Sequence, residues 1–253
     1  MRALLNKDLQ MSLWGIELPK MEISFLFVIC MNDTKLKSTQ RIGPHHIDVL
    51  SIFFGSLLGD AYAEKRVNAT RICFQQENNN VEYLRSLHSF FAERFYTNLK
   101  VPKLQKRIGV KNTIRFVCRF KTWSFQNLNW LHEIFYKKVD DKWIKIVPES
   151  QYLKVYLTPL ALAIWIMDDG SKSGSGLSRA THSFSKNDVI RLSNFLNQFY
   201  GLKNSVNSAG HDNQFIIYIW KESMPKLVLL VHPYIVPGMI YKLGEYGKNS
   251  IVL

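Results

Sequence analysis

Twice in this chain an apolar run of helix length ends in an aspartate, and a repeated segment of this kind points to two similarly folded halves. The first run is Ile52-Phe53-Phe54-Gly55-Ser56-Leu57-Leu58-Gly59-Asp60-Ala61; the second is Leu162-Ala163-Ile164-Trp165-Ile166-Met167-Asp168-Asp169-Gly170. Asp60 and Asp169 hold the same place in each. A carboxylate at a helix C-terminus meets the negative end of the helix dipole, which costs roughly 0.3–1 kcal/mol unless a cation compensates. Its repetition suggests a bound metal. If the two helices pack side by side, both carboxylates reach one spot, and hard oxygen ligands there favour Mg²⁺ over zinc.

The elements after each aspartate recur in the same order. An alternating stretch, Arg71-Ile72-Cys73-Phe74-Gln75, precedes a helix-like segment beginning Val81-Glu82-Tyr83-Leu84; in the second half Ala180-Thr181-His182-Ser183-Phe184 precedes Val189-Ile190-Arg191-Leu192. Period-2 strands follow at 113–120 and 215–220, with Arg115 and Arg119 on one face of the first. Further helices are expected at 125–136 and 224–231, and each half then reaches Ile-Val-Pro, at 146–148 and 235–237. Thr158 suits an N-cap and Pro159 a first helical turn, so the second motif helix starts there. The pattern predicts an α+β chain divided into an extension over 1–44, a first repeat over 45–150 and a second over 151–253.

With 33 Lys+Arg against 20 Asp+Glu, the formal charge of +13 favours a polyanionic partner, nucleic acid before membrane. Cys30, Cys73 and Cys118 lack C-x₂-C spacing, which argues against structural zinc and a disulfide framework. The apolar run 23–31 is too short to span a bilayer, and residues 1–40 carry too few arginines and too many acids for a transit peptide. They read as a variable extension. His45-His46 suits the start of a helix better than a zinc pair, and Asp140-Asp141 a solvated loop. The aromatics at 90–91 and 95–96, Trp123 and Trp130 read as core packing.

The two motifs, together with Leu157-Thr158-Pro159, Pro233-Tyr234-Ile235-Val236-Pro237 and Met239-Ile240-Tyr241-Lys242-Leu243, resemble the LAGLIDADG homing endonucleases of the single-chain, two-repeat type. The resemblance covers roughly residues 45–245. It implies two pseudo-symmetric αββαββα repeats, with antiparallel sheets forming a DNA-binding saddle and the motif helices at the central interface. By position it implies Asp60 and Asp169 as metal ligands at two overlapping active sites, with the carbonyls of Gly59 and Asp168 as further ligands. Lys145 and Lys242 fall on the places of the supporting basic residues. Gln75 falls on that of a water-ordering polar residue, answered in the second half by His182 or Ser183. Gly55 and Gly59 give the first helix a close-approach face; the second offers Ala161, Ala163 and bulky Ile164.

The implied activity is cleavage of both strands of a long double-stranded DNA site by Mg²⁺-dependent hydrolysis, leaving staggered 3′ overhangs. Mn²⁺ would substitute, and Ca²⁺ would support binding without cleavage. Base and backbone contacts are expected from Lys65, Arg66, Asn68, Arg71, Gln76, Lys103, Gln105, Arg107, Arg115, Arg119 and Lys121, and from Lys172, Ser173, Ser175, Arg179, Asn204, Asn207 and Gln214. An intron maturase, with intron RNA as partner, is the alternative on the same fold. A monomer encoded in a mitochondrial intron, with chloroplast as second choice, fits the resemblance and the Asn-, Lys-, Ile- and Phe-rich composition.

Overall fold

The local sequence fixes where each half begins. The protein is described here by a computed structural model covering residues 36–248 except 42, 110 and 111, plus two short strands, β1 (Ser12–Leu13) and β2 (Ile16–Glu17). These two strands pair antiparallel within a unit of their own, Met1–Lys35; of the extension expected over 1–44, the rest of 1–35 lies outside the described residues, and 36–44 belong to the larger unit. The larger unit begins at Leu36. In it, α1 (Ile47–Leu58) starts at His46, whose extended backbone and Nδ1, accepting from the Asp48 amide at 3.3 Å, form the N-cap. His45 bridges the Tyr96 hydroxyl and the Asn127 side chain.

The first half continues with β3 (Tyr62–Lys65), β4 (Thr70–Glu77), α2 (Val81–Glu93), β5 (Gln105–Ile108), β6 (Ile114–Lys121) and α3 (Asn129–Phe135). A hairpin follows, β7 (Tyr136–Val139) and β8 (Lys142–Lys145). After α4 (Ser150–Tyr156), the second half runs α5 (Pro159–Asp169), β9 (Gly170–Ser173), β10 (Gly176–Ala180), α6 (Lys186–Tyr200), β11 (Asn204–Ser208), β12 (Phe215–Ile219) and α7 (Met224–Val231). A 3-10 segment, Pro237–Leu243, and the short α8 (Glu245–Lys248) close it. The antiparallel sheets have orders β3-β4-β6-β5 and β9-β10-β12-β11, the same arrangement twice. The chain is thus an α+β protein of two αββαββα repeats. The strand expected at 180–184 instead ends at Ala180, because Ser185 caps α6 and pulls the preceding residues into a turn.

Each half buries one face of its sheet against its helices. In the first, Phe53, Phe74, Phe91, Tyr96 and Phe120 form an aromatic cluster, with Phe53 stacked on Phe91 and Phe74 on Phe120. The helices α1 and α5 are apolar nearly all round because they join the two halves: residues 160–167 are all buried. Their contact is backbone-close. A Cβ on Gly55 would stand 2.3 Å from the Ala161 carbonyl oxygen, and one on Gly59 2.6 Å from the Asp168 Cβ, so glycine is required at both. Thr158 caps α5 through the Ala161 amide and donates to the Ser51 hydroxyl at 2.9 Å, pinning the two helices together. Among the described residues, no helix is long and apolar enough to cross a membrane.

Candidate active site and nucleic-acid face

The contact of α1 with α5 brings the acids of both motifs together. Asp60 lies just beyond Gly59, the C-cap of α1, and is exposed; Asp168 and Asp169 end α5 and are half-buried. One donor reaches the acids of both helix ends: the Gln76 side-chain nitrogen donates to Asp60 Oδ2 at 2.7 Å and to Asp168 Oδ1 at 3.3 Å. Asn80 in turn donates to Gln76 Oε1 at 3.0 Å, which fixes the amide's orientation. Burial, followed by the nearby Asp60 charge, pushes the Asp169 carboxyl up to about 6. Burial and the two neighbouring carboxylates also hold Asp168 well above the usual carboxylate range, although the Tyr83 hydroxyl hydrogen-bonds it.

Each helix end carries its own lysine. Lys145, at the end of β8, donates to the carbonyls of Gly59 at 2.9 Å and Ala61 at 3.0 Å. Lys242, buried in the 3-10 segment, donates to the carbonyls of Met167 and, at 3.2 Å, Asp168. Two unlike elements therefore deliver the same group to matching places, where an ammonium offsets the negative helix end. Burial lowers both lysines, Lys145 to about 8, against the opposing pull of the three aspartates. The carbonyls of Gly59 and Asp168, expected as metal ligands, are thus already hydrogen-bonded to ammonium groups.

Several expected contacts are placed elsewhere. Gln75 is exposed on the other face of β4; Ile72, Phe74 and Gln76 turn inward, so Gln76, expected at a base, is the glutamine beside Asp60. The two-residue alternation of a strand decides this. In the second half His182 and Ser183 are exposed, while buried Thr181 donates to the Phe215 carbonyl. Arg179 is fully buried beneath the helices, its guanidinium 3.3 Å from the centre of the Trp165 ring, so it cannot reach a DNA surface. The Asn204 amide is used internally, accepting from Ser193 Oγ at 2.6 Å and donating to the carbonyls of Ser193 and Leu202. Lys65 points to the helix side and pairs with Glu133 on α3.

Cross-strand register places Arg71, Gln75, Gln105, Arg107, Arg115, Arg119 and Lys121 on one face of the first sheet, with Glu64 and Glu77 among them. Glu64 gathers three of the cations: Arg71 at 2.8 Å, Arg66 at 2.9 Å and Lys121 at 3.2 Å. Partial burial alone would raise its carboxyl; hydrogen bonds and charge from Arg71 and Lys121 overcome that and bring it down to about 2. The matching face of the second sheet carries Ser171, Ser173, Ser178, Ser205, Asn207, Ile216 and Tyr218, and no charged residue. Asn68, Lys103 and Ser175 lie exposed in loops, Lys172 is exposed and pairs with Glu245, and Gln214 sits in the turn before β12.

A duplicated αββαββα chain with two acid-tipped helices side by side defines a class, and comparison agrees. A model of the LAGLIDADG DNA endonuclease family matches residues 50–227, and the chain belongs to that family. It is 46% identical over 226 residues to a cytochrome b mRNA maturase, bI2, of Saccharomyces cerevisiae, covering 87% of this chain and 53% of that protein. The chain thus spans about half the length of that relative. It is 34% identical over 163 residues to the intron-encoded endonuclease ai4 of Dictyostelium discoideum, covering 62% of this chain and 98% of that protein. Among solved structures, the homing endonuclease I-WcaI bound to its DNA recognition sequence matches with a TM-score of 0.71 and 25% identity, over 85% of this chain and 96% of that one.

Proposed function

We propose that this protein is a site-specific homing endonuclease that cuts both strands of a double-stranded DNA site and leaves staggered 3′ overhangs. The observation that carries the reading is the meeting of the two acid-tipped helix ends, bridged by Gln76 from Asp60 to Asp168, the neighbour of Asp169, with one lysine at each helix end. Hydrolysis of a phosphodiester needs an activated water, neutralised charge on the phosphoryl oxygens and a stabilised leaving oxygen. Asp60 and Asp169 would hold divalent metal, which activates the water and neutralises the phosphate when bound. Lys145 and Lys242 hold fixed positive charge where negative charge develops. Gln76 orients the Asp60 carboxylate. Because one chain supplies both acids, it acts as a monomer.

The donor set suits such an ion. The carboxylates of Asp60, Asp168 and Asp169 are hard oxygen donors, and since among the described residues no three His, Cys, Asp or Glu side chains are arranged to hold a metal by themselves, phosphate oxygens and water would complete the shell. That incomplete, all-oxygen set is what Mg²⁺ takes, with Mn²⁺ as substitute. The cationic face of the first sheet supports a duplex partner, read through Arg71, Arg107, Arg115 and Arg119. A mitochondrial intron origin is supported by the intron-encoded relative.

A second reading, an intron maturase that binds intron RNA, is supported by the relative of that name at 46% identity. The deciding experiment selects cleaved sites from a randomised duplex library in Mg²⁺, with Ca²⁺ as the binding-only control. Asp60→Asn and Asp169→Asn are expected to lose cleavage by about 10³-fold or more while still binding the selected site. Full cleavage by either variant refutes the assignment of the two acids, whereas a wild-type protein that cleaves no duplex but rescues splicing in vitro puts the maturase in the endonuclease's place.

A further inference from the structure

Among the described residues, the least satisfied group is a buried arginine. Arg179 on β10 is 0% exposed, and none of its three guanidinium nitrogens has a hydrogen-bond partner among the described residues. Removing an ion from water costs several kcal/mol unless something compensates, so such a group needs an account. Two features supply part of it. The guanidinium lies flat against Trp165 of α5, 3.3 Å from the ring centre, which restricts its orientation. It also sits opposite Gly170, the residue after Asp169, so its positive charge is buried behind the acid-tipped end of α5 without an ion pair to either aspartate.

The first half shows what is special here. Tyr62 pairs with Cys73, and the register carried on by one residue sets Ala61, the residue after Asp60, against Phe74. Phe74 occupies the place of Arg179 and is an ordinary aromatic core residue, stacked on Phe120. Gly59 likewise occupies the place of Asp168. The second half has therefore gained one acid and one base together. It has also lost the amide: two residues after Arg179, where the first half has Gln76, stands Thr181, whose hydroxyl is spent on a backbone carbonyl.

We propose that Arg179 is a positioning residue for the second cleavage site: clamped on Trp165, its guanidinium sets a fixed positive charge behind the Asp168–Asp169 pair, while Gln76 supports Asp60 from the first half. Cleavage of the two strands is then supported by unlike devices, an amide in one half and a buried cation in the other. The inference rests on the endonuclease reading for its strand selectivity but not for the coupling of Arg179 to the acids.

Two measurements test it. With the selected duplex labelled separately on each strand, Arg179→Met in Mg²⁺ is expected to slow one strand about tenfold or more beyond the other, so that a nick accumulates always in the same strand. Arg179→Lys keeps the charge without the flat stacking group, and the same strand is expected to lag by about threefold. Equal slowing of both strands, or of neither, overturns the strand role. The second measurement needs no DNA. In thermal unfolding of the metal-free chain, Arg179→Met is expected to lower Tm less in an Asp168→Asn background than in the wild type, and additive changes overturn the coupling. If Arg179→Met does not fold, the neutral Arg179→Gln takes its place in both experiments with the same criteria. A wild-type protein that cuts no duplex sinks the endonuclease reading, while the unfolding cycle still decides on Arg179.

Discussion

The two halves share a chain path and differ in almost every polar detail. The first presents arginines and a lysine on its sheet face and supports its acid with a neutral amide; the second presents serines, Asn207 and Tyr218 and has its extra cation buried. Even the matching lysines arrive on unlike elements, a hairpin and a 3-10 segment. The backbone repeat thus fixes where the helix tips meet. What each tip meets is set by a handful of side chains that pseudo-symmetry leaves free to diverge.

The sharpest way to break the comparison is at the seam. Gly55→Ala puts a methyl group 2.3 Å from the Ala161 carbonyl, closer than any packing allows, and should destabilise the protein by about 3 kcal/mol, whereas Ala161→Gly on the facing helix should cost only about 1 kcal/mol. Chemical denaturation of both variants checks this, and equal losses would mean that the close approach belongs to neither helix in particular. Next in size, Gln76→Ala should reduce double-strand cleavage by about ten- to a hundredfold through loss of the bond to Asp60, whereas Thr181→Ala at the matching place should leave strand cleavage within about threefold of wild type. Quantifying both strands on a labelled duplex would show whether the amide serves one half or both.

The sheets make a smaller but clear contrast. Neutralising Arg115 should flatten the log–log salt dependence of DNA binding by about one unit, whereas Asn207→Ala on the second sheet should leave the slope unchanged. Binding titrations in Ca²⁺ at several salt concentrations measure both. The smallest effect concerns Glu64. Its carboxyl lies at about 2 when folded and near the ordinary glutamate value when unfolded, so its contribution is fully present above about pH 4.3 and fades as pH falls toward 2. Solvent screening of this half-exposed cluster limits that contribution to about 1 kcal/mol. Glu64→Gln should therefore lower stability at pH 7 by that amount and converge on wild type as pH falls through 2, with urea midpoints across that range as the readout.

Much of the fold can be read along the chain. Two apolar runs ending in Asp60 and Asp169, matched strands behind them, and the Thr158-Pro159 start of α5 are local signals, set by propensity, capping and spacing that need no partner to be recognised. Part of the aromatic core, Phe90, Phe91 and Tyr96, and the close-approach face of Gly55 and Gly59 are equally visible, since bulky apolar and small residues betray their surroundings by size, whereas Phe95, Trp123 and Trp130, read as core, are only half-buried. Which side chains meet at the site is another matter. Gln75 and Gln76 are neighbours of the same type, and only the core packing of Ile72 and Phe74 sets the phase that sends one outward and the other to Asp60; a one-residue difference in a strand reverses the face. Arg179 and Asn204 look like surface contacts because Arg and Asn usually are. Tertiary structure alone buries the first against Trp165 and spends the second on α6, since both outcomes depend on elements far away in sequence. Local pattern along the chain suffices for a duplicated α+β protein with an acid at the end of each motif helix; the meeting of those acids, and the unlike partners beside them, come from the packing of one half against the other.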